Sequence, residues 1–148
     1  MKIFYNLFIY LFMAILWQVS PFKRKARLLF RGRRATLRSI NSRMQEIREQ
    51  RGGKCRCVWL HSASLGEFEQ GRTIIDSLRR EDPSLIVVVT FFSPSGYVPR
   101  ANYPGADAVF YLPSDTSSNA RRMVRAIKAD QVIFVKYEFW YHYLIGRA

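Results

Sequence analysis

Leu85-Ile86-Val87-Val88-Val89 is an unbroken apolar run, and it limits the fold more than any other stretch of the chain. A strand with one wet face alternates apolar and polar residues, whereas a continuous run belongs in a parallel sheet covered on both faces. Cys57–Leu60, Ala108–Leu112 and Gln131–Val135 read the same way, giving four strands. Between them lie helical patterns. Gly66–Arg80 sets Phe68, Ile74, Ile75 and Leu78 on one side, Ser117–Lys128 reads as a second helix, and Asp82-Pro83 punctuates the first join. Ser93-Pro94-Ser95-Gly96 reads as a loop leading into a short, Pro-interrupted segment. The expected fold class is α/β, a Rossmann-like parallel layer, and 148 residues allow one such domain.

Charge divides the chain differently. Residues 1–54 carry 13 of the 24 Lys and Arg but only two of the 11 acids, so most of the +13 formal charge sits at one end. Ile3–Val19 has no formal charge, and a basic cluster follows: Lys23, Arg24, Lys25, Arg27, Arg31, Arg33, Arg34 and Arg38. Seventeen residues of helix reach roughly 25 Å, just short of a hydrocarbon core of about 30 Å, so a short span and an interfacial anchor both fit. The run ends in Trp17-Gln18-Val19-Ser20-Pro21, which lacks the small residues of a signal-peptidase site. By the positive-inside rule the basic side is cytoplasmic. The cluster is then either a topology signal or a surface for anionic lipid, and a neighbouring apolar run of this length makes nucleic acid the weakest partner. The expected organisation is a membrane anchor helix over 1–20, a basic helical connector over 21–54, and a Rossmann-like lobe over 55–148. Cys55 and Cys57, one residue apart on a strand, are poorly placed to bridge and suggest a reducing compartment.

In open parallel sheets ligands bind outside the carboxyl ends of the strands, which directs attention to four loops. His61-Ser62-Ala63-Ser64-Leu65-Gly66-Glu67 has small residues that admit a ligand and ends in a carboxylate at a helix start. It has neither GxGxxG nor a Walker lysine. Glu67 is either a favourable charge in a first helical turn or a general base, and Glu138, which follows the last strand, poses the same choice. Ser62, Ser64, Gly66, Ser93, Ser95 and Gly96 are either turn residues or contacts to sugar or phosphate. His61 reads as a structural residue closing a buried strand, and His142 stands alone. Tyr137, Phe139, Trp140, Tyr141 and Tyr143 read as packing. No metal-ligand spacing emerges, and no cofactor is expected.

Four blocks carry a resemblance: Trp59–Glu67, Thr90–Gly96, Tyr111–Asp115 and Glu138-Phe139-Trp140. In order and spacing they resemble the amino-terminal half of 3-deoxy-D-manno-octulosonic acid (Kdo) transferase. The resemblance implies one lobe of a GT-B glycosyltransferase that binds the lipid A precursor acceptor, with CMP-Kdo held by a second lobe missing here. It implies an inverting transfer in lipopolysaccharide synthesis at the cytoplasmic face of the inner membrane, with Glu67 as proton acceptor and Glu138 as transition-state stabiliser. Lys136 departs from the neutral or acidic residue that many relatives place there. The fragment alone is expected to be inactive, and the rival reading is a membrane-tethered module that binds anionic lipid without chemistry.

Overall fold

The computed structural model describes residues 2–19, 24–52, 54–136 and 140–145. Two helices come first, α1 (Lys2–Val19) and α2 (Arg24–Gln50). The alternating part follows: β1 (Cys57–Ser62), α3 (Leu65–Glu81), β2 (Ile86–Phe91), α4 (Pro94–Arg100), β3 (Ala108–Tyr111), α5 (Ser117–Ile127), β4 (Gln131–Phe134) and α6 (Tyr141–Ile145). The four strands pair in parallel in the order β3-β2-β1-β4, with Cys57 opposite Ile86, Trp59 opposite Val132 and Val88 opposite Ala108. The expected α/β sheet is therefore present, and its order is that of the first four strands of a Rossmann fold.

Side chains of alternate strand residues feed two cores. Val58, Leu60, Val87, Val89 and Phe91 pack with Phe68 and Ile75 of α3 on one face. On the other, Trp59, Ile86, Val88 and Phe110 meet Ala120, Met123 and Ile127 of α5, together with Ile40, Met44 and Ile47 of α2. The connector expected over 21–54 thus supplies part of the core of the lobe. Ala26, Leu29, Arg33, Thr36, Ile40, Met44 and Ile47 are its buried residues, and their spacing of three and four is that of one helical face. Full burial of three side chains such as Ile40, Met44 and Ile47 stabilises by roughly 5–9 kcal/mol. Arg48 ties α2 to the end of α5, donating from Nη1 to the Ala126 carbonyl at 3.1 Å and from Nη2 to that of Ile127.

Two expectations at the strand ends change. β1 and β2 run on through Ser62 and Phe91, so His61, Ser62 and Thr90 are strand residues and not loop residues. Ser93-Pro94-Ser95-Gly96 is no loop but the start of α4: Ser93 is the N-cap, its Oγ accepts from the Ser95 N–H at 3.2 Å, and Pro94 occupies the first turn. Proline there loses no hydrogen bond, because the first N–H groups of a helix have no partner within it.

Helix α1 lies along the lobe. Ile9 is buried, Tyr5 donates to Asp115, and Asn6 meets His142 Nε2 at 2.7 Å. Its opposite side leaves Phe4, Leu7, Phe8, Leu11 and Ile15 exposed, Phe4 by 78%, while Tyr10 and Trp17 are exposed on its flank. Among the described residues no helix is long and apolar enough to cross a membrane.

Asp107, at the entry to β3, joins three elements. It pairs with Arg51 after α2 and with Arg79 of α3 at 2.6 Å, and it accepts the Val87 N–H at 2.8 Å. Burial alone would raise its pKa, but the Val87 N–H and the two guanidinium groups hold it below the usual carboxylate range. Asp107→Asn should lower stability by about 2–4 kcal/mol, read as the denaturation midpoint at neutral pH. A depressed folded-state pKa gives stability that is present above the unfolded value of about 3.9 and lost as pH falls through the folded one. The penalty of the substitution should therefore shrink below about pH 4.

Candidate functional site at the carboxyl edge of the sheet

The strand order reverses between β1 and β4. The chain steps outward from β1 to β2 and β3, then returns to β4 on the other flank of β1, and a crevice opens where such a reversal occurs. The loop leaving β1 stands at that reversal. Ser64 caps α3 with an extended backbone, and Glu67 lies in the first turn. Glu67 Oε2 accepts from the Ala63 N–H at 2.8 Å and the Ser64 N–H at 3.2 Å, which fixes the carboxylate against the loop. This is the capping-box arrangement, so the structural role considered for Glu67 is real. It also leaves Oε1 without a hydrogen-bond partner among the described residues. Gly66 beside it is exposed, and a Cβ there would meet nothing within 4 Å, so a ligand has room to approach.

The β1 and β2 loops are stitched together. The Phe92 N–H donates to the Ser62 carbonyl at 3.2 Å, and the Ser93 N–H to the Ala63 carbonyl at 3.1 Å. Ser93 and Ser95 consequently share the edge with Ser64 and Glu67, and their hydroxyls sit 3.0 Å apart. The other two candidates have structural explanations. Ser62 is fully buried within β1, and its Oγ has no partner among the described residues, so it is not presented at the crevice. Gly96 is buried where a Cβ would fall 2.3 Å from the Phe91 ring, so its smallness serves packing. Glu138, with Tyr137 and Phe139, lies outside the described residues.

His61 fits its structural reading. Its Nδ1 lies 2.9 Å from the Thr90 hydroxyl, which also accepts from Trp59 Nε1 at 2.8 Å, and its ring stands edge-on to Phe134. His142 is not alone: besides Asn6, it is held through its backbone N–H by Asp115 at 3.1 Å. Cys55 and Cys57 are free thiols, and burial pushes the Cys57 thiol up to about 11. Among the described residues no group of three or more His, Cys, Asp or Glu side chains could hold a metal ion.

Two residues that the sequence reading did not single out stand beside this edge. Asp115, buried at the end of the β3 loop, accepts from Tyr5 of α1 and from the His142 and Tyr143 N–H groups of α6, the last at 3.2 Å. Arg33 of α2 is 4% exposed, and its guanidinium lies 4.6 Å from the Phe92 ring centroid, with Phe92 stacked on Trp140 at 4.9 Å. Burial lowers its pKa to about 10. Periodicity carried a signal for Arg33, since Leu29, Arg33, Thr36 and Ile40 share one helical face. Asp115 ends one of the four blocks that carry the resemblance, but its partners lie in distant segments that no local pattern joins to it.

Comparison with known proteins agrees with this picture. The family described as 3-Deoxy-D-manno-octulosonic-acid transferase (kdotransferase) matches residues 38–147. The 3-deoxy-D-manno-octulosonic acid transferase of Chlamydia muridarum is 36% identical over 91 residues, covering 60% of this chain and 21% of the relative. The protein of the same name from Aquifex aeolicus is 32% identical over 85 residues, 56% of this chain and 23% of the relative. That from Haemophilus influenzae is 28% identical over 85 residues, 56% and 20%. The alignments thus span about a fifth of the length of these relatives. With the family match covering most of the chain, including the crevice loops and Glu67, the chain belongs to the Kdo transferase family as its N-terminal domain.

Proposed function

We propose that this chain is the acceptor-binding lobe of a GT-B glycosyltransferase that moves Kdo from CMP-Kdo to a lipid A precursor with inversion. The observation that carries the reading is the placement of Glu67. A carboxylate fixed by two backbone N–H groups, with its second oxygen turned to neither and an open glycine beside it, sits at the reversal of strand order where such sheets bind ligands. Transfer forms a bond between an acceptor hydroxyl oxygen and the anomeric carbon while the bond to CMP breaks. The hydroxyl proton passes to the Glu67 carboxylate, and the electron pair of the breaking bond leaves with CMP. The sugar carries oxocarbenium character at that moment. Glu138, which follows β4 in the sequence, would oppose that positive charge with a second carboxylate. Ser64, Ser93 and Ser95 supply hydroxyls to the acceptor sugar.

Helix α1 supports the membrane part of the reading. One side is pinned to the lobe by Tyr5 and Asn6, and the other is a broad apolar surface, the geometry of a helix lying in the interface with its long axis in the membrane plane. We place the lobe on the cytoplasmic face of the inner membrane, with the acceptor lipid in the same leaflet.

Two outcomes check these assignments. In a chain joined to the donor half of a relative, Glu67→Gln keeps an oxygen for the Ala63 and Ser64 N–H groups, so thermal stability should hold while turnover falls about 10²–10⁴-fold. Near-normal turnover in that folded variant would remove the proton-acceptor role. Separately, the chain should sediment with vesicles and resist high salt. Phe8→Asp with Leu11→Asp, both on the exposed side of α1, should leave only binding that salt abolishes. Salt-resistant binding by the double variant would remove the interfacial helix.

A further inference from the structure

A cavity of about 460 Å³ opens between α1, α2 and the loop after β3. Arg27, Arg31, Arg33 and Arg34 line it, and no carboxylate does among the described residues. Arg33 forms its inner wall. The Nη1 of Arg33 reaches Ser114 Oγ at 3.3 Å and Met13 Sδ at 3.7 Å, while Nε and Nη2 are buried with no hydrogen-bond partner among the described residues. A guanidinium taken out of water with two donor nitrogens unsatisfied is unfavourable unless an anion compensates it. The mouth of the cavity is apolar on its α1 side. Trp17, 69% exposed, stands there near the carboxyl end of α1, and indole rings favour the headgroup level of a bilayer.

We propose that this cavity seats a phosphomonoester carried on a lipid headgroup, with Arg33 beneath the phosphate, Arg31 and Arg34 at the rim, and the lipid's chains running past Trp17 into the bilayer. The inference deepens the acceptor reading above and rests on it for the identity of the lipid, not for the recognition of its phosphate. Guanidinium groups match phosphate oxygens with paired N–H donors, and several around one cavity favour the more highly charged monoester over a diester. A monoester with a second pKa near 6 carries about −1.5 to −2 at neutral pH, and a diester carries one negative charge. The apolar mouth selects an anion that arrives on a lipid over one free in solution.

The test uses the 148-residue chain and no sugar donor. Phosphatidylcholine vesicles containing phosphatidic acid are compared with vesicles containing phosphatidylglycerol at matched surface charge. Tighter binding to phosphatidic acid, by about tenfold, is expected. Arg33→Met should abolish that preference. If that variant does not fold, the exposed pair Arg31→Gln with Arg34→Gln gives the same reading without touching the core. Arg80→Gln with Arg125→Gln removes equal charge from exposed sites outside the cavity and should keep the preference. Equal affinity for the two lipids, or equal loss in the control pair, overturns the site. Binding of inorganic phosphate without vesicles as tightly as phosphatidic acid overturns the lipid as its source. Because nothing turns over, failure here leaves the Glu67 assignment standing, and failure of Glu67→Gln leaves the phosphate seat standing.

Discussion

A parallel sheet has no face that it can leave to water, and that constraint organises the molecule. The crossovers through α3 and α5 put one helix on each face, yet four strands are wider than one helix. On the side of α3 the gap is closed by α4 and the aromatic rings of Tyr97 and Tyr103. On the side of α5 it is closed by the second half of α2, which enters from before the first strand. Since α2 is 27 residues long, its first half overshoots the sheet and passes the carboxyl edge. Arg33 reaches Phe92 and Ser114 because Ile40, Met44 and Ile47 are needed two turns and more further on.

The second fixture is Asp115. A carboxylate buried this deeply must have its oxygens satisfied, and its partners come from α1 and α6, segments more than 100 residues apart in the chain. The loop after β3 is thereby held between the first helix and the last. The aromatic contacts repeat the theme: Trp59 meets Tyr143 edge-on, and Tyr5 lies against Tyr141 and His142. Aromatic residues near the end of the sequence, which looked like packing, do pack where they are described.

Legibility followed the range of the forces involved. Leu85–Val89 announced a buried strand because burial on both faces leaves a mark on every residue, and the other three strands were as plain. The ends were not, because His61 and Thr90 are polar residues whose hydrogen bonds to each other are made across two strands. Ser93 and Pro94 read as a loop although Ser-Pro is equally a helix start, and what decides between them is Gly96 pressed on Phe91, a contact from outside the segment. Glu67 was legible as a carboxylate at a helix start, and its hydrogen bonds stay within four residues. Arg33 was counted only as charge. Its burial shows in the helical period, but its purpose depends on Ser114, Met13 and Phe92, which no local pattern joins to it.

Gly32 puts a last constraint on α2. A Cβ there would fall 2.1 Å from the Tyr111 ring, and that ring is itself stacked on Tyr97 with centroids 3.9 Å apart, so neither side can give way easily. Helix α2 is thus clamped at Gly32 against β3 and again at Ile40 in the core. One residue inserted between these points would turn one clamp against the other by about 100°, carrying either Ile40 or Arg33 off the buried face. Among homologous chains, the eight-residue interval from Gly32 to Ile40 should therefore vary in sequence far more readily than in length.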